Sequence, residues 1–163
     1  MRRAGIVGLA LASASAAIAA AVLILGRDAG SGNQVPPGDP AVFVKSVLAS
    51  IVEDKYERAW KTLHPAHQQV ALFREYAVCE NRTQVGGKLR AADVVRVRDV
   101  LARMPGEPER VPATAVTLRI KIYQPALQSV DTFTQTFNAV ASGSRWTWIL
   151  TPAKYKSYST DTC

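Results

Sequence analysis

The spacing of hydrophobic positions changes near Lys88. Before it, apolar residues recur every three or four positions, which is the period of a helix with one buried face. After it, apolar and polar residues alternate, which is the period of a strand with one buried face. Helices followed by hairpin-connected strands are typical of an α+β domain in which the helices cover one face of an antiparallel sheet.

The helical part is expected to contain three helices. Asp39 and Pro40 form an N-cap and first-turn pair, so the first helix is expected to begin at Pro40. Asp54 is expected to cap a short second helix, and Pro65 restarts the chain before a third helix that ends near Cys79. Their apolar positions are Val44, Val47, Leu48 and Ile51, then Tyr56, Ala59, Trp60 and Leu63, and then Val70, Phe73, Tyr76 and Ala77.

The strand part is clearest between Ala113 and Tyr123, where every second residue is aliphatic. An earlier alternating run covers residues 95–101, although Asp99 falls on its apolar side. The turn at residues 142–144 is expected to join two later strands into a hairpin. The buried positions of these strands are expected to be Val116, Leu118, Ile120 and Ile122, then Phe133 and Phe137, and then Trp146 and Trp148 on one face.

The N-terminus predicts a membrane segment. Residues 4–25 carry no charge and follow Arg2 and Arg3, and as a helix they would span about 33 Å. The positive-inside rule leaves the N-terminus in the cytoplasm and the rest of the chain outside it. We expect residues 1–26 to be an uncleaved signal anchor in the lipid bilayer. A cleaved signal peptide stays open, because Ala and Ser at residues 12–17 would suit a cleavage site, and the protein would then be secreted.

The exported part divides into a linker and one domain. Residues 27–39 are rich in Gly, Pro and small polar residues, so they are expected to be flexible. Residues 40–163 are then one extracytoplasmic domain. The net charge of +7 for the chain favours anionic surfaces, and an exported location makes nucleic acid an unexpected partner.

The two cysteines, Cys79 and Cys163, are too few for a thiolate zinc site and cannot form a C-x-x-C pair. An exported location favours an intramolecular disulfide between them, with an intermolecular bridge or free thiols as alternatives.

We expect neither a metal nor a cofactor, because no phosphate loop, dinucleotide fingerprint or nucleophile elbow is present.

The two histidines, His64 and His67, are the first candidates for chemistry. A zinc site usually has an i, i+4 pair on one helix and needs a third ligand, whereas Pro65 begins a new helix between these two residues. A general base at a helix N-terminus is one interpretation. The simpler one makes His64 a helix cap and His67 a solvated residue of the first turn.

The order of elements is similar to that of the nuclear transport factor two-like (cystatin-like) superfamily of cone-shaped domains. The likeness lies in residues 42–51, in EDKYERAWKTLHP at 53–65, in FREYAVC at 73–79 and in the closing hairpin that ends RWTWILTP. It implies a conical pocket between three helices and a curved antiparallel sheet. The candidate lining residues are Tyr56, Trp60, Tyr76, Asp131 and Trp146.

The motifs behind this likeness are packing motifs, and the superfamily includes both enzymes and accessory domains, so the fold does not give the function. We expect a non-catalytic bacterial envelope domain that binds a partner protein, a wall polymer or a small apolar ligand. The alternative is a small exported isomerase or dehydratase that uses Asp131 or His64 with a tyrosine.

Overall fold

The computed structural model describes residues 36, 38–82, 87–105 and 109–163. The predicted membrane segment at residues 4–25 and most of the predicted linker lie outside these residues. Of the helices in the described part, none is long and apolar enough to cross a membrane. The elements of the described part, in chain order, are α1 (Pro40–Val52), α2 (Tyr56–Lys61), α3 (Pro65–Gln68), α4 (Phe73–Arg82), β1 (Lys88–Arg103), β2 (Arg110–Gln124), β3 (Ser129–Ser142), β4 (Arg145–Ile149) and α5 (Pro152–Ser159).

The four strands form one antiparallel sheet in the order β1-β2-β3-β4, which confirms the α+β class. The predicted hairpin turn at residues 142–144 connects β3 to β4. The register of β1 against β2 shifts between Leu89 and Ala91 and again between Val94 and Arg96. Extra residues of this kind bend a strand and increase its local twist.

The main core lies between the helices and one face of the sheet. The alternation predicted for β2 is confirmed, since its four aliphatic residues on this face are almost completely buried. Trp148 of β4 lies on the same face, because its partner Ala139 pairs in turn with Thr114, two residues before Val116 on β2. The buried residues that meet here include Val44, Val47, Leu48, Leu63, Tyr76, Val116, Leu118, Ile120, Ile122, Phe137 and Trp148.

The start of α1 agrees with the prediction, but the start of α2 does not. Asp39 caps α1, with its Oδ1 accepting the N–H of Ala41 at 2.7 Å. Asp54 instead ends α1: it has a φ of 59°, its N–H donates to the carbonyl of Ile51, and the N–H of Lys55 donates to that of Ser50. These two bonds close the helix in a Schellman motif. The prediction that Asp54 caps the second helix is therefore wrong.

The described part contains five helices where three were predicted. The predicted third helix is divided, because the chain leaves the helical path after α3 and resumes at Phe73. The carbonyl of Ala71 in this break accepts the indole N–H of Trp60 at 2.7 Å. The fifth helix, α5, was not predicted, although Thr151 and Pro152 repeat the cap and proline signal that begins α1.

The disulfide predicted between Cys79 and Cys163 is present, with 5.5 Å between the two Cα atoms. It joins α4 to the C-terminal residue. Two further contacts hold α5 against α4, because Lys154 forms an ion pair with Glu80 and the hydroxyl of Tyr158 donates to the same carboxylate. The C-terminal helix is therefore fixed to the helical layer by a covalent bond and by charge.

Candidate functional site

The two hairpins of the sheet separate at one end. The pairing of β2 with β3 runs from Gln124–Ser129 to Thr114–Ala139. Beyond that pair, β2 continues beside β1 as far as Arg110, and β3 continues beside β4 as far as Ser142. We call the space between these two hairpin ends the fork; its sides are residues 100–103 with 110–113, and residues 140–142 with 145–147.

Small side chains fill the base of the fork. A separate cluster of buried residues lies there, apart from the main core. Its buried members are two alanines, two β-branched residues and one methionine, with no aromatic side chain among them: Ala102, Ala113, Val140, Ile149 and Met104. Because such side chains fill little volume between strands that diverge, open space remains on both sides of the cluster.

The first cavity of the fork has a volume of about 730 Å³. Its walls are largely aliphatic, and Trp146 lies at one side with its indole N–H donated to the carbonyl of Gly38 at 3.1 Å. Three polar side chains line it as well, those of His64, Asp99 and Thr114. His64 caps α3, its Nδ1 accepting the N–H of Ala66 at 3.3 Å, and Asp99 accepts the hydroxyl of Thr114 at 3.4 Å.

The second cavity of the fork has a volume of about 500 Å³ and shares Leu101 and Met104 with the first. It is bordered by α5 and by the end of β4. Both volumes fall within the range of roughly 300–1,000 Å³ that is usual for small-molecule sites. The residues that line it are His67, Leu101, Ala102, Arg103, Met104, Pro105, Arg110, Asn138, Ile149, Leu150, Pro152 and Tyr155.

His67 is buried, with 2% of its surface exposed, so the prediction that it is a solvated residue of the first turn is wrong. Its Nδ1 accepts the N–H of Leu150 at 3.3 Å, and its ring meets Tyr155 edge-on at 5.3 Å between centroids. Burial, with a smaller contribution from His64, lowers the pKa of His67 to about 4. The imidazole is therefore neutral near pH 7, and its proton is on Nε2, which has no hydrogen-bond partner.

A third, smaller cavity of about 240 Å³ lies between the helices and the sheet. Its polar groups come from Tyr56, Glu80, Gln135 and Lys154, and its other walls are aliphatic and aromatic. Tyr56 donates to Asp54 at 2.8 Å, and burial together with this carboxylate raises the pKa of its hydroxyl to about 12. The Glu80 carboxylate is 5% exposed and is bound by Lys154 and Tyr158.

The structure distributes the predicted pocket residues among different places. Tyr56 lines the third cavity and Trp146 lines the first. Tyr76 is in the main core, where burial raises the pKa of its hydroxyl, and Trp60 stacks at a tilt on Phe73 beside that core. Asp131 is exposed on β3 and accepts a hydrogen bond from Gln124 at 3.3 Å.

Sequence reasoning named His64 and Trp146, which line the first cavity, but it missed the other residues at the fork and the buried Glu80. The pattern around Leu101 and Met104 resembles the end of a strand followed by a connection, and no local signal shows that a second hairpin diverges opposite. The position of His67, two residues after Pro65, predicted that it lies on a helix. It did not predict which distant residues bury it. No group of three or more His, Cys, Asp or Glu in the described ranges is placed to hold a metal ion.

Comparisons with known proteins add no identification. No protein-family model matches the chain, and no curated protein matches it.

Proposed function

We propose that this chain is a non-catalytic ligand-binding module of the bacterial cell envelope, with residues 4–25 as its membrane anchor and the fork as its binding site. The single observation that carries the proposal is the divergence of the two hairpins beyond the Thr114–Ala139 pair, with cavities of about 730 and 500 Å³ beside it.

The chemistry of the first cavity favours binding over catalysis. Most of its walls are aliphatic, and burial of apolar ligand surface against such walls stabilises a complex by about 25 cal/mol per Å². Its two titratable side chains already have structural roles, because His64 caps α3 and Asp99 binds Thr114. The ligand we propose is therefore a small molecule with a substantial apolar part.

The enzyme alternative has one observation in its favour. Glu80 is a buried carboxylate that lines the third cavity together with Tyr56, and such a pair is a plausible setting for proton transfer. Of the residues predicted for this role, His64 lines a cavity of the fork and Asp131 lies outside all three described cavities. The ion pair with Lys154 holds Glu80 in place, which favours a structural role for this carboxylate.

Binding at the fork is tested with Nile red, a neutral dye whose emission rises in apolar surroundings. The full chain is reconstituted in lipid nanodiscs, and the signal of empty nanodiscs is subtracted. Ala141 is exposed and lines the first cavity, so Ala141→Trp should occupy part of the space without disturbing the core. We expect this variant to lower the affinity for the dye by about tenfold, the equivalent of 1.4 kcal/mol.

The matched control is Ala126→Trp, which places the same exposed ring in the turn between β2 and β3, away from the fork. This variant should bind the dye as the unchanged chain does. Equal loss in both variants, or no saturable signal above empty nanodiscs, would overturn the proposed function. Saturable binding that Glu80→Gln removes and Ala141→Trp leaves intact would move the site to the third cavity.

A further inference from the structure

The second cavity of the fork combines apolar walls with side chains that donate hydrogen bonds. Its apolar lining residues include Leu101, Met104, Ile149 and Leu150. No carboxylate is among the described residues that line this cavity, whereas two arginines and a histidine are. A cavity with this lining fits a ligand that has an apolar body and an acceptor, or a negative charge, at one end.

The buried imidazole of His67 gives the first indication of such an acceptor. Its Nε2 is fully buried and has no hydrogen-bond partner, while Nδ1 is occupied by the N–H of Leu150. A buried donor without an acceptor is costly, because it has lost water and gained nothing in exchange. The ring of Tyr155 contacts the imidazole edge-on, but this contact gives the Nε2–H group no oxygen to replace the water it has lost. An oxygen of a bound ligand in this cavity would satisfy the Nε2–H group.

The two arginines give a second, independent indication. Arg103 and Arg110 are direct cross-strand partners at the end of the β1–β2 hairpin, and both line the second cavity. Like charges placed directly opposite each other on antiparallel strands destabilise the pair. A bound anion between the two guanidinium groups would offset this repulsion, and guanidinium groups match the oxygens of carboxylates and phosphates well.

We propose that the second cavity binds a single-chain amphiphile with an anionic head group, the head held by Arg103, Arg110 and the Nε2–H of His67 and the chain lying against Leu101 and Met104. This inference rests on the proposed function, because it names the ligand class of the same fork. Charge complementarity selects the head group. Leu101 and Met104 line the first cavity as well, so a chain that lies against them also borders that cavity.

The test uses two photoreactive probes that differ only in the head group: decanoic acid and 1-decanol, each with a diazirine on the chain. The full chain in nanodiscs of zwitterionic lipid is labelled, digested and mapped by mass spectrometry, so that label in the fork is separated from label in the membrane segment. We expect the acid to label residues 101–105 and 149–155 about tenfold more efficiently than the alcohol. Hydrogen bonds to charged groups are stronger than neutral ones by a free energy that corresponds to about this factor in affinity.

The charge is tested with matched pairs of substitutions. The variant Arg103→Gln with Arg110→Gln should remove the preference for the acid and leave labelling by the alcohol unchanged. The control, Arg98→Gln with Arg119→Gln, removes the same charge from exposed positions of β1 and β2 outside the described cavities and should keep the preference. Competition by unlabelled decanoate and by decyl phosphate then shows which anionic head group is preferred.

The outcomes separate this inference from the proposed function. Equal labelling of the fork by acid and alcohol would overturn the anionic head group and leave the fork as an apolar site. Absence of label from the fork with both probes would overturn both proposals. Loss of the acid preference in the control pair as well would show a general effect of charge and would overturn the assignment to Arg103 and Arg110.

The role of His67 has a separate readout. The chain contains only two histidines, so ¹⁵N-histidine labelling gives few imidazole signals to assign. Saturation with decanoate should shift the Nε2 resonance of His67, whereas saturation with 1-decanol at the same occupancy should shift it less. An unchanged Nε2 resonance with bound decanoate would remove His67 from the proposed site.

Discussion

The helix-covered half of the sheet and the fork are built from the same strands but are filled in different ways. Under the helices, β2 presents aliphatic side chains that meet Tyr76, Phe137 and Trp148, and only the smallest of the three cavities, about 240 Å³, remains there. At the fork, the continuation of the same strand presents Ala113, and the facing hairpin presents Val140. Large side chains close the first region, and small ones leave cavities beside the second.

If the proposed function holds, this difference separates stability from binding within one small domain. Well-packed large side chains provide most of the free energy of folding, since each fully buried aliphatic side chain contributes about 1.5–3 kcal/mol. A site for a small molecule needs space that is already open. The disulfide of Cys163 and the ion pair of Lys154 both bind the C-terminal segment to α4, in the helix-covered half.

The largest expected effect concerns the disulfide that fixes the C-terminus to the helix-covered half. The two cysteines are 84 residues apart, and on the chain-entropy model their bond contributes up to about 4–5 kcal/mol to the free energy of unfolding. Cys163→Ser should lower the stability of the full chain in urea denaturation by that order. The unchanged chain with reductant should behave like the variant. A variant that unfolds at the same urea concentration as the oxidised chain would contradict this role of the disulfide.

A second prediction compares two leucines in the two regions. Leu118 is fully buried under the helices, whereas Leu101 at the fork is 62% exposed. Leu118→Ala should lower the free energy of unfolding by about 2–5 kcal/mol, because it removes transfer energy and leaves a cavity. Leu101→Ala should change it by about 0.5 kcal/mol or less. Similar losses in both variants, measured by chemical denaturation, would show that the fork is as tightly packed as the core.

The third prediction concerns pH and the buried imidazole at the fork. The pKa of His67 is lowered to about 4 in the folded state, from an ordinary value near 6.5. Between these values the unfolded chain takes up a proton that the folded chain does not. The contribution of His67 to the free energy of unfolding is therefore complete above pH 6.5 and is lost as the pH falls to about 4. Its size is on the order of 3 kcal/mol.

His67→Gln isolates this contribution from those of the carboxyl groups, which titrate in the same range. The difference in unfolding free energy between the unchanged chain and the variant should shrink as the pH falls from 6.5 to 4. If the two pH profiles run parallel through this window, His67 titrates in the folded state as it does in the unfolded chain.

The smallest effect compares two ion pairs. Lys154 pairs with the buried Glu80, whereas Lys61 pairs with Glu57 at 2.6 Å on an exposed face of α2. Lys154→Met leaves a buried carboxylate with one partner fewer and should cost about 1–3 kcal/mol. Lys61→Met should cost less than about 1 kcal/mol, because solvent screens the pair. Thermal unfolding of both variants makes the comparison, and equal changes would show that α5 is not held by the charge of Glu80.

Local signals in the sequence predicted the elements where they act over a few residues. The pair Asp39–Pro40 marks the start of α1, and the same kind of pair at Thr151–Pro152 marks the start of α5. Asp54 was assigned to the wrong helix end, because a cap residue and a residue in a Schellman motif look alike in sequence. The difference is a left-handed backbone and two hydrogen bonds back into α1.

The sequence by itself determined the α+β class and the buried face of β2, because both depend on periodicity. It favoured the pairing of the two cysteines, because few partners exist, and the structure decided it. Only the tertiary structure decided the fork and the environment of His67. The hairpins separate where the β2–β3 register ends, and His67 is buried by the backbone of Leu150, 83 residues away in sequence. Such contacts depend on how distant segments meet, and no short-range pattern encodes that.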